Sequence, residues 1–383
     1  MKKILAMLLA LVMVLGLAAC GAPAAEAPAA SEAAYKVAMV TDYGDITDQS
    51  FNQTTYEACK AYAEANNVEF TYYKPAGDSD AERVAMIEKA VDEGYNVIVL
   101  PGFAFAAAIA TAAPQYPDVK FIALDVSEFD LTSAGLTAET MTNVYSAVYQ
   151  EELCGYMAGY AAVKLGYTKL GFLGGMAVPA VQRYGYGYVQ GADAAAKELN
   201  ITVDMNYVYG GLFYGTADIT AVMDTWYQGG TEVVFACGGG IYTSAVDAAK
   251  KVEGTKVIGV DVDQAGVIAN YAGMSDKSLT VTSAMKGLYP TTVDTLTDVI
   301  NNGNWAKYAG KVATLGLVSG DDPTANYVQI PMESTQWSDT FTQDDYKAMV
   351  KAMFDGTIVV SGDVSAEPAV TNVNVAYQGQ IVG

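Results

Sequence analysis

A rhythm of short β-branched runs and longer helical patterns, which occurs twice, most constrains the fold of this chain. In the first series the runs KVAMVTD (36–42), VEFTYYKP (68–75), NVIVLPG (96–102) and VKFIALD (119–125) alternate with amphipathic stretches. The third run is almost continuously apolar, as expected for a strand that is covered on both faces. Strands that alternate with helices predict a parallel sheet with crossover helices.

The same plan starts again after the helical segment ELCGYMAGYAAVKLG (152–166). Predicted strands at 169–175, 202–209, 232–240 and 256–263 are separated by predicted helices at 181–199, 216–228 and 241–252. We therefore predict an α/β protein with two Rossmann-like lobes, whose parallel sheets are joined by hinge strands. The predicted N-terminal lobe comprises residues 35–145 plus about 275–325, and the C-terminal lobe comprises 146–274 plus about 326–383.

The first 34 residues predict export and anchoring. Lys2 and Lys3 precede the apolar run ILAMLLALVMVLG (4–16), and LAAC (17–20) ends the segment with small residues and a cysteine. This series is typical of a signal peptide, here 1–19, and is short for a membrane span. The ending resembles a bacterial lipobox, which implies cleavage before Cys20 and acylation of its thiol, for example with palmitate. An ordinary signal with an incidental cysteine is the alternative. The Ala/Pro/Glu-rich stretch that follows, up to residue 34, predicts a flexible tether on the extracytoplasmic face of the cell membrane.

Composition excludes several classes of function. The formal net charge of −22 argues against a nucleic-acid partner, because phosphate backbones require clustered Lys and Arg. The chain has no histidine, which removes Ser-His-Asp and Cys-His triads and His-rich zinc sites. Besides Cys20, the cysteines Cys59, Cys154 and Cys237 stand in apolar contexts without a CxxC pair, so we predict buried free thiols.

Polar and aromatic residues follow the predicted strands at the points where the strands end. Ligands of open parallel sheets bind beyond these carboxyl ends, so the residues are expected to line a cleft between the lobes. The candidates are Asp48, Phe51, Asn52, Asp125, Tyr184, Gly239, Asp261, Asp263 and Lys286. The glycine run at 238–240 is neither a Walker loop nor a GxGxxG fingerprint, because the residues at the required spacing are absent.

Each candidate also has an ordinary structural interpretation. Asp48 and Asp261 are suited to cap the helices that follow them. Phe51 is suited to a core and Asn52 to a solvated helix surface. The glycine run is suited to a tight strand-to-helix turn, and a lone Lys286 to the surface. Taken together, the candidates support a common binding site, because all of them fall at one edge of two matching sheets.

Several sequence blocks resemble those of a known family. They are DQSFNQ (48–53), AGYAA (158–162), GFLGGMAVPAVQRYGYGYVQG (171–191), ACGGGIY (236–242), IGVDVDQ (258–264) and TSAMK (282–286). In these blocks, and in their order, the chain resembles the BMP family (basic membrane protein, PnrA-like) of purine-nucleoside-binding lipoproteins of ABC transporters. The resemblance covers nearly all of the chain after the tether and implies the type I periplasmic-binding-protein fold.

Carried over residue by residue, the resemblance implies that Phe51 and Tyr184 stack on the two faces of a purine. It implies that Asn52 and Asp125 contact the polar edge of the base, and that Gly239, Asp261 and Lys286 hold the ribose. The family usually has Phe at the position of Tyr184, Glu at the position of Gly185 and a GGTG-like turn where this chain has GGGI. A tyrosine can still stack, but the altered turn leaves the ribose contact open, and Asp261 and Asp263 are not ranked.

The implied function is that of a lipid-anchored solute-binding protein of an ABC importer. It would capture purine nucleosides such as adenosine, guanosine or inosine by lobe closure, as a monomer, without a cofactor, a metal or a catalytic residue. Its partners would be a permease and an ATPase. A sugar-binding protein or signalling ectodomain of the same fold is the alternative. A nucleoside hydrolase is disfavoured, since histidine and a DxDxxxDD-type acidic cluster are missing.

Overall fold

The computed structural model describes residues 35–137 and 139–382. The predicted signal peptide (1–19), Cys20 and the tether therefore lie outside the described residues. The thirteen strands within the described ranges, β1 to β13, are Lys36–Val40, Glu69–Tyr73, Val97–Pro101, Lys120–Leu124, Val144–Tyr149, Lys169–Gly174, Val203–Tyr209, Val233–Cys237, Lys256–Asp261, Thr280–Lys286, Lys311–Leu315, Val328–Gln329 and Val373–Gln380.

Helices alternate with these strands, as predicted. The α-helices of the described part, α1 to α12, are Phe51–Asn66, Asp80–Asp92, Ala106–Ala112, Glu128–Ser133, Glu151–Lys164, Pro179–Leu199, Ala217–Gln228, Tyr242–Ala249, Ala265–Ala272, Leu288–Leu296, Trp305–Tyr308 and Gln343–Phe354. Short 3₁₀ segments cover Phe103–Phe105 and Pro323–Ala325, and a π-helical turn covers Thr297–Asn301. None of the described helices is both long enough and apolar enough to cross a bilayer.

The strands form two separate sheets, which confirms the predicted α/β class with two lobes. The first sheet has the order β11-β5-β4-β3-β1-β2, and the second has the order β12-β10-β9-β8-β6-β7-β13. All neighbouring strands are parallel except β10 and β12. The strand order reverses beside β1 and beside β6, so helix N-termini and loops gather at the carboxyl edge of each sheet.

The chain passes between the lobes at points that differ from two predicted boundaries. Residues 146–149 belong to β5 of the first sheet, so the first crossing is at Gln150 rather than at 145. Residues 280–286 form β10 of the second sheet, whereas the prediction placed them in the N-terminal lobe. The reason is that β10 pairs in parallel with β9 and buries Val281 and Ala284 in the core. The chain returns only after Gly287, where α10 packs against α1.

Helices α5 and α6 approach each other unusually closely, through four glycines. A Cβ atom on Gly155 or Gly159 of α5 would lie 2.2 or 2.1 Å from a carbonyl oxygen of α6. Conversely, a Cβ atom on Gly187 or Gly191 of α6 would lie 2.1 or 2.0 Å from a carbonyl oxygen of α5. This contact fixes the start of α5, which is the first segment after the lobe crossing, against the start of α6.

The three cysteines of the described part are buried and free, which confirms the prediction for Cys59, Cys154 and Cys237. Burial raises the pKa of all three thiols, so they remain protonated and unreactive.

Candidate ligand-binding site

A cavity of about 280 Å³ lies between the two lobes, at the carboxyl ends of their strands. The sequence-predicted residues that line it are Asp48, Phe51, Asn52, Asp125, Tyr184, Gly239, Asp261 and Lys286. Asp263 does not line it: its Oδ1 accepts a hydrogen bond from the N–H of Ala265, 3.1 Å away, at the start of α9. The open choice between Asp261 and Asp263 therefore falls on Asp261.

The floor of the cavity is built around one buried ammonium group. Lys286 ends β10, and its side chain is only 3% exposed. Its Nζ forms an ion pair with Asp125 and lies 3.4 Å from Glu151 Oε1 and 3.8 Å from Asp261 Oδ1. Burial lowers the pKa of Lys286, but the three carboxylates together raise it well above its ordinary value. The side chain is therefore a permanent cation and not the surface lysine of the alternative interpretation.

Asp125 and Asp261 occupy matching places in the two lobes. Asp125 follows β4, the fourth strand of the first lobe, and Asp261 ends β9, the fourth strand of the second. Both have left-handed backbones, with φ of 61° and 65°. This conformation is strained for a residue that is not glycine, and such strain concentrates at functional sites. Both carboxylates lie beside the same ammonium group, Nζ of Lys286.

Two aromatic rings from opposite lobes face the same cavity. Phe51, the first residue of α1, is partly buried, and its ring centroid lies 4.7 Å from Lys286 Nζ. The ring centroid of Tyr184 on α6 lies 5.6 Å from the same atom. Tyr184 is 2% exposed, and its hydroxyl donates to Asp261 Oδ1 over 3.3 Å. The two rings thus share one hollow with a cation beside both.

Asp48 caps helix α1 and also lines the cavity. Its carboxylate accepts hydrogen bonds from the backbone N–H groups of Ser50, Asn52 and Gln53 at 2.9–3.1 Å. The capping interpretation is therefore correct for this residue. Burial, only partly opposed by these hydrogen bonds, raises the pKa of Asp48 to about 6.

Two buried acceptors at the cavity have no hydrogen-bond partner among the described residues. They are Oδ1 of Asn52 and Oδ1 of Asp125. Their other side-chain atoms are engaged: Nδ2 of Asn52 donates to Asp48 over 3.3 Å, and Oδ2 of Asp125 pairs with Lys286. Because buried polar atoms are normally hydrogen-bonded, these acceptors are suited to donors on a ligand. Asn52 is accordingly not the solvated surface residue of the alternative interpretation.

The glycine run after β8 serves as a tight turn and as a cavity wall. Gly238 and Gly239 have φ of 146° and 49°, and the N–H of Ile241 donates to the carbonyl of Gly238 over 3.0 Å. A side chain on Gly239 would meet the carbonyl oxygen of Phe213 at 2.8 Å. Only glycine lets the backbone pass this close to the site.

Asp42 was not predicted, although it also lines the cavity and is 8% exposed. Its Oδ1 accepts hydrogen bonds from the N–H groups of Tyr43 and Gly44, each over 2.6 Å. A signal was present, since Asp42 is the last residue of the first apolar run and the strand-end rule applies to it.

Glu151, Glu152 and Arg183 were also missed. The Nε of Arg183, which lines the cavity, donates to Glu151 Oε2 over 2.6 Å, and Glu152 Oε2 lies 4.0 Å from the same nitrogen. Both acids begin α5, and acids in the first turn of a helix usually only complement its dipole. Both are buried instead, at 0% and 6% exposure, and Glu151 joins the lobe crossing to the floor of the site, because its Oε1 lies 3.4 Å from Lys286 Nζ.

Acids dominate the lining of the cavity. The acidic residues are Asp42, Asp45, Asp48, Asp125, Asp130 and Asp261, whereas the basic ones among the described lining residues are Arg183 and Lys286. Both basic groups are already paired with carboxylates. A field of this sign favours a neutral or cationic ligand and opposes a phosphate ester.

Comparison with known proteins places the chain in a family. The family model described as "ABC transporter substrate-binding protein PnrA-like" matches residues 35–356. The chain belongs to the Bmp family. It is thus a member of a family of solute-binding proteins of ABC transporters, and the resemblance stated from the sequence blocks is confirmed.

Relatives of this Bmp-family chain differ widely in sequence. The ABC transporter nucleoside-binding protein BmpA of Lactococcus lactis is 28% identical over 74% of this chain and 80% of its own length. An uncharacterized lipoprotein of Pyrococcus furiosus is 26% identical over 82% of this chain and 77% of its own length. A solute-binding protein of Aeropyrum pernix, whose crystal structure is known, has a TM-score of 0.64 at 22% identity, with 85% of this chain and 87% of that chain covered. This last likeness confirms the fold.

Two departures from the usual Bmp pattern have local explanations. At residue 184, where the resemblance implies Phe, the hydroxyl of Tyr184 donates to Asp261. At Gly185 a Cβ atom would lie 2.1 Å from the hydroxyl oxygen of Tyr207, so Tyr207 leaves no room for a glutamate. A tyrosine hydroxyl thus accounts for each departure: that of Tyr184 bonds Asp261, and that of Tyr207 fills the space beside Gly185.

The carboxyl group of Glu152 is expected to make stability depend on pH. Burial raises the pKa of Glu152 to about 7, and its Oε2 has no hydrogen-bond partner among the described residues. Because the pKa of Glu152 is raised in the folded state, its protonation stabilises the fold. This stabilisation is fully present below the unfolded pKa of about 4.3 and is lost as pH rises through 7. In wild type, the free energy of unfolding should therefore fall by on the order of 3 kcal/mol between pH 4.5 and 7.5. Glu152→Gln should abolish this fall.

Urea unfolding of this variant across that pH range checks the expectation. Glu64→Gln is the matched control, because the Glu64 side chain is 71% exposed and should leave the pH profile unchanged. A Glu152→Gln profile as steep as that of the wild type would contradict the expectation.

Proposed function

We propose that this Bmp-family protein is a lipid-anchored, extracytoplasmic receptor that captures purine nucleosides between its lobes for an ABC importer. The observation that carries the proposal is the pair of rings, Phe51 and Tyr184, which come from opposite lobes and line one cavity. The printed name of the Lactococcus lactis relative, a nucleoside-binding protein, supports the same ligand class.

The base would lie between the two rings. A purine is flat and largely apolar on its faces, and stacking on an aromatic side chain contributes about 1–3 kcal/mol per base. Asn52 lies one residue after Phe51 and has a buried carbonyl oxygen without a partner among the described residues. That oxygen is suited to accept a hydrogen bond from an N–H group on the edge of the base.

The ribose would lie on the floor of the cavity. Carboxylates accept short, charge-assisted hydrogen bonds from hydroxyl groups, and both Asp125 and Asp261 line the floor. Lys286 neutralises part of their charge and has further donor capacity for a ribose oxygen. The resemblance assigns Asp125 to the edge of the base, but we place it against a ribose hydroxyl, because its Oδ2 pairs with Lys286 on the floor and its Oδ1 has no partner among the described residues.

The charge of the cavity supports a nucleoside over a nucleotide. A phosphate group would meet six aspartates and two basic side chains that already serve other carboxylates. Desolvating a doubly charged phosphate beside these acids costs free energy, and basic groups that are already paired do not offset this cost.

Capture would proceed by lobe closure. Ser50 Oγ of the first lobe donates to Asp261 Oδ2 of the second over 2.5 Å, and Nε2 of Gln264 donates to the carbonyl of Gln49 over 3.0 Å. The ion pair of Lys286 with Asp125 also joins the lobes. A ligand that contacts both lobes adds to these links and so favours the closed arrangement.

Anchoring would rest on Cys20, and the partners in transport would be a membrane permease and the ATPase that drives it. The printed name of the Pyrococcus furiosus relative, a lipoprotein, supports an anchored protein. In this proposal the protein acts as a monomer, since one chain supplies both walls of the cavity.

Sugar binding has less support from the site. A sugar site usually has tryptophan or phenylalanine over the ring and a free arginine between carboxylates. Phenylalanines do line this cavity, but its arginine, Arg183, is already engaged by Glu151. For the hydrolase reading, no cluster of three acids, cysteines or histidines in the described part is arranged to hold a metal ion.

A ligand panel tests the proposal. Thermal unfolding and titration calorimetry of the full chain with guanosine, adenosine, inosine, the free bases, ribose and AMP should show tight binding of purine nucleosides. AMP and ribose should bind at least about tenfold more weakly, a difference of about 1.4 kcal/mol. Tight binding of a pentose or hexose with no response to any nucleoside would contradict it.

A further inference from the structure

Helices α1 and α9, one in each lobe, begin in the same way. The residue just before each helix is Ser50 or Gln264, and neither side chain accepts a hydrogen bond from the first turn of its own helix. Asp48 and Asp263 accept bonds from backbone N–H groups at the starts of α1 and α9 instead. A serine in this position normally caps its helix, so its side chain is released here for another contact.

Both released side chains cross to the opposite lobe. Ser50 Oγ donates to Asp261 Oδ2 over 2.5 Å, and Nε2 of Gln264 donates to the carbonyl of Gln49 over 3.0 Å. Gln49 directly precedes Ser50, and its backbone is left-handed, with φ of 57°, which is uncommon for a residue other than glycine. The two links therefore join adjacent residues of the first lobe to the segment between β9 and α9 of the second.

The amide of Gln264 is fixed by its own lobe. Its Oε1 accepts a hydrogen bond from the N–H of Val260 over 2.9 Å, and the residue is 0% exposed. A Cβ atom at Gly259 would lie 2.8 Å from the Cβ atom of Gln264. Rotation of the amide by half a turn would set Oε1 against the carbonyl of Gln49 and Nε2 against an N–H. One orientation alone therefore satisfies both contacts.

These contacts close a ring of hydrogen bonds across the cleft, which we call the clasp. It consists of Gln49, Ser50, Val260, Asp261 and Gln264. Neither Ser50 nor Gln264 is among the described residues that line the cavity. The free energy of the clasp therefore favours the closed lobes whether or not a ligand is bound.

We propose that Gln264 is a positioning residue for nucleoside capture, which acts through the clasp to hold the lobes closed and Ser50 against Asp261 without touching the ligand. The inference rests on the proposed function. A binding-competent arrangement that is only partly populated weakens the apparent affinity by that fraction. Loss of the clasp lowers the population of closed lobes, so it weakens binding, mainly through faster release.

Inosine binding by the full chain, measured by titration calorimetry, tests this role. Gln264→Met keeps most of the side-chain volume, removes both amide contacts and should weaken binding by about three- to tenfold. Ser50→Ala should have a similar effect. The double variant should bind at most about twofold more weakly than the weaker single variant, because either change opens the same ring. Gln228→Met is the matched control, since Gln228 is the exposed last residue of α7.

Small-angle X-ray scattering separates a shift in lobe closure from a general loss of structure. Without ligand, Gln264→Met should have a larger radius of gyration than wild type, because the open arrangement gains population. Saturating inosine should return the variant to the radius of liganded wild type, since contacts of the ligand with both lobes restore closure. A misfolded variant would not recover in this way.

Gln264→Glu gives a readout that a purely structural role would not move. A neutral carboxyl group has a donor and an acceptor, as the amide has, whereas a carboxylate has no donor. Burial keeps such a group neutral to higher pH. The inosine affinity of Gln264→Glu relative to wild type should rise at least about threefold from pH 8 to pH 5, unlike that of Gln264→Met. The native acids beside the clasp are common to these proteins, so the ratio corrects for their titration: Asp48, Asp261 and Asp263.

The outcomes distinguish the inference from the proposed function. If wild type and Gln264→Met bind inosine equally tightly, the role of Gln264 is wrong and the proposed function stands. If Gln264→Met binds weakly but has the wild-type radius of gyration without ligand, Gln264 does not act through closure and the inference is wrong. If wild type binds no purine nucleoside, the proposed function falls, and the role of Gln264 in nucleoside capture falls with it.

Discussion

Lys286→Met is expected to lower the free energy of unfolding by about 3–5 kcal/mol at pH 7. The ammonium group is the shared partner of Asp125, Glu151 and Asp261, and its side chain is 3% exposed. Its removal leaves buried carboxylates without a counter-charge, which costs far more than the loss of an exposed ion pair. Chemical denaturation at constant temperature measures the loss.

The pH dependence of the same variant gives a second test. Burial already raises the pKa values of Glu151 and Asp261 in the folded state, and loss of the ammonium group removes a charge that opposes this rise, so protonation stabilises the folded variant. The defect relative to wild type should therefore shrink as pH falls from 7 toward 4.5. Lys60→Met is the matched control, because the Lys60 side chain is 52% exposed and its Nζ forms only a long ion pair, of 4.0 Å, with Glu64. A Lys286→Met protein as stable as this control would contradict the account of the floor.

Phe51→Ala is expected to weaken the binding of a purine nucleoside by roughly 5- to 150-fold, which corresponds to the 1–3 kcal/mol of one stacked face. The free energy of unfolding should change little by comparison, because Phe51 is only partly buried and begins a helix that Asp48 caps. Titration calorimetry with guanosine, beside Phe129→Ala as a control for the loss of an exposed ring, measures the change.

The stacking account makes a further distinction within this experiment. Phe51→Leu retains apolar contact but not a flat ring, so its affinity should lie between those of wild type and Phe51→Ala. The loss should also be specific to ligands that carry a base, with no change in any weak response to free ribose. Unchanged guanosine affinity in Phe51→Ala would show that the ring is not part of the base site.

Much of the fold follows from local patterns in the sequence. Strands β1 to β4 and β6 to β9 were predictable because each is a short apolar run between helical patterns. Strand β5 was missed because VYSAVY leads directly into a helix, with Gln150 alone between them. Strand β12 has two residues and is defined only by antiparallel pairing with β10, which no local pattern reports.

The candidate site was predictable where one physical rule applied. Asp125, Asp261 and Lys286 stand at strand ends, and the carboxyl ends of parallel strands meet at one edge. Glu151 and Arg183 gave no such signal, because their role depends on the close contact of α5 and α6 and on the path of the chain between lobes. Phe103 and Phe213 lie in connecting segments, where sequence alone does not tell a loop ring from a ligand wall.

A crystal structure of the protein with guanosine tests the central claim most directly, namely that a purine is held between rings from opposite lobes. The account predicts electron density for the base between Phe51 and Tyr184, with ribose hydroxyls within hydrogen-bond distance of Asp125 and Lys286. Guanosine bound elsewhere, or a sugar on the floor with the base turned away from both rings, would contradict it.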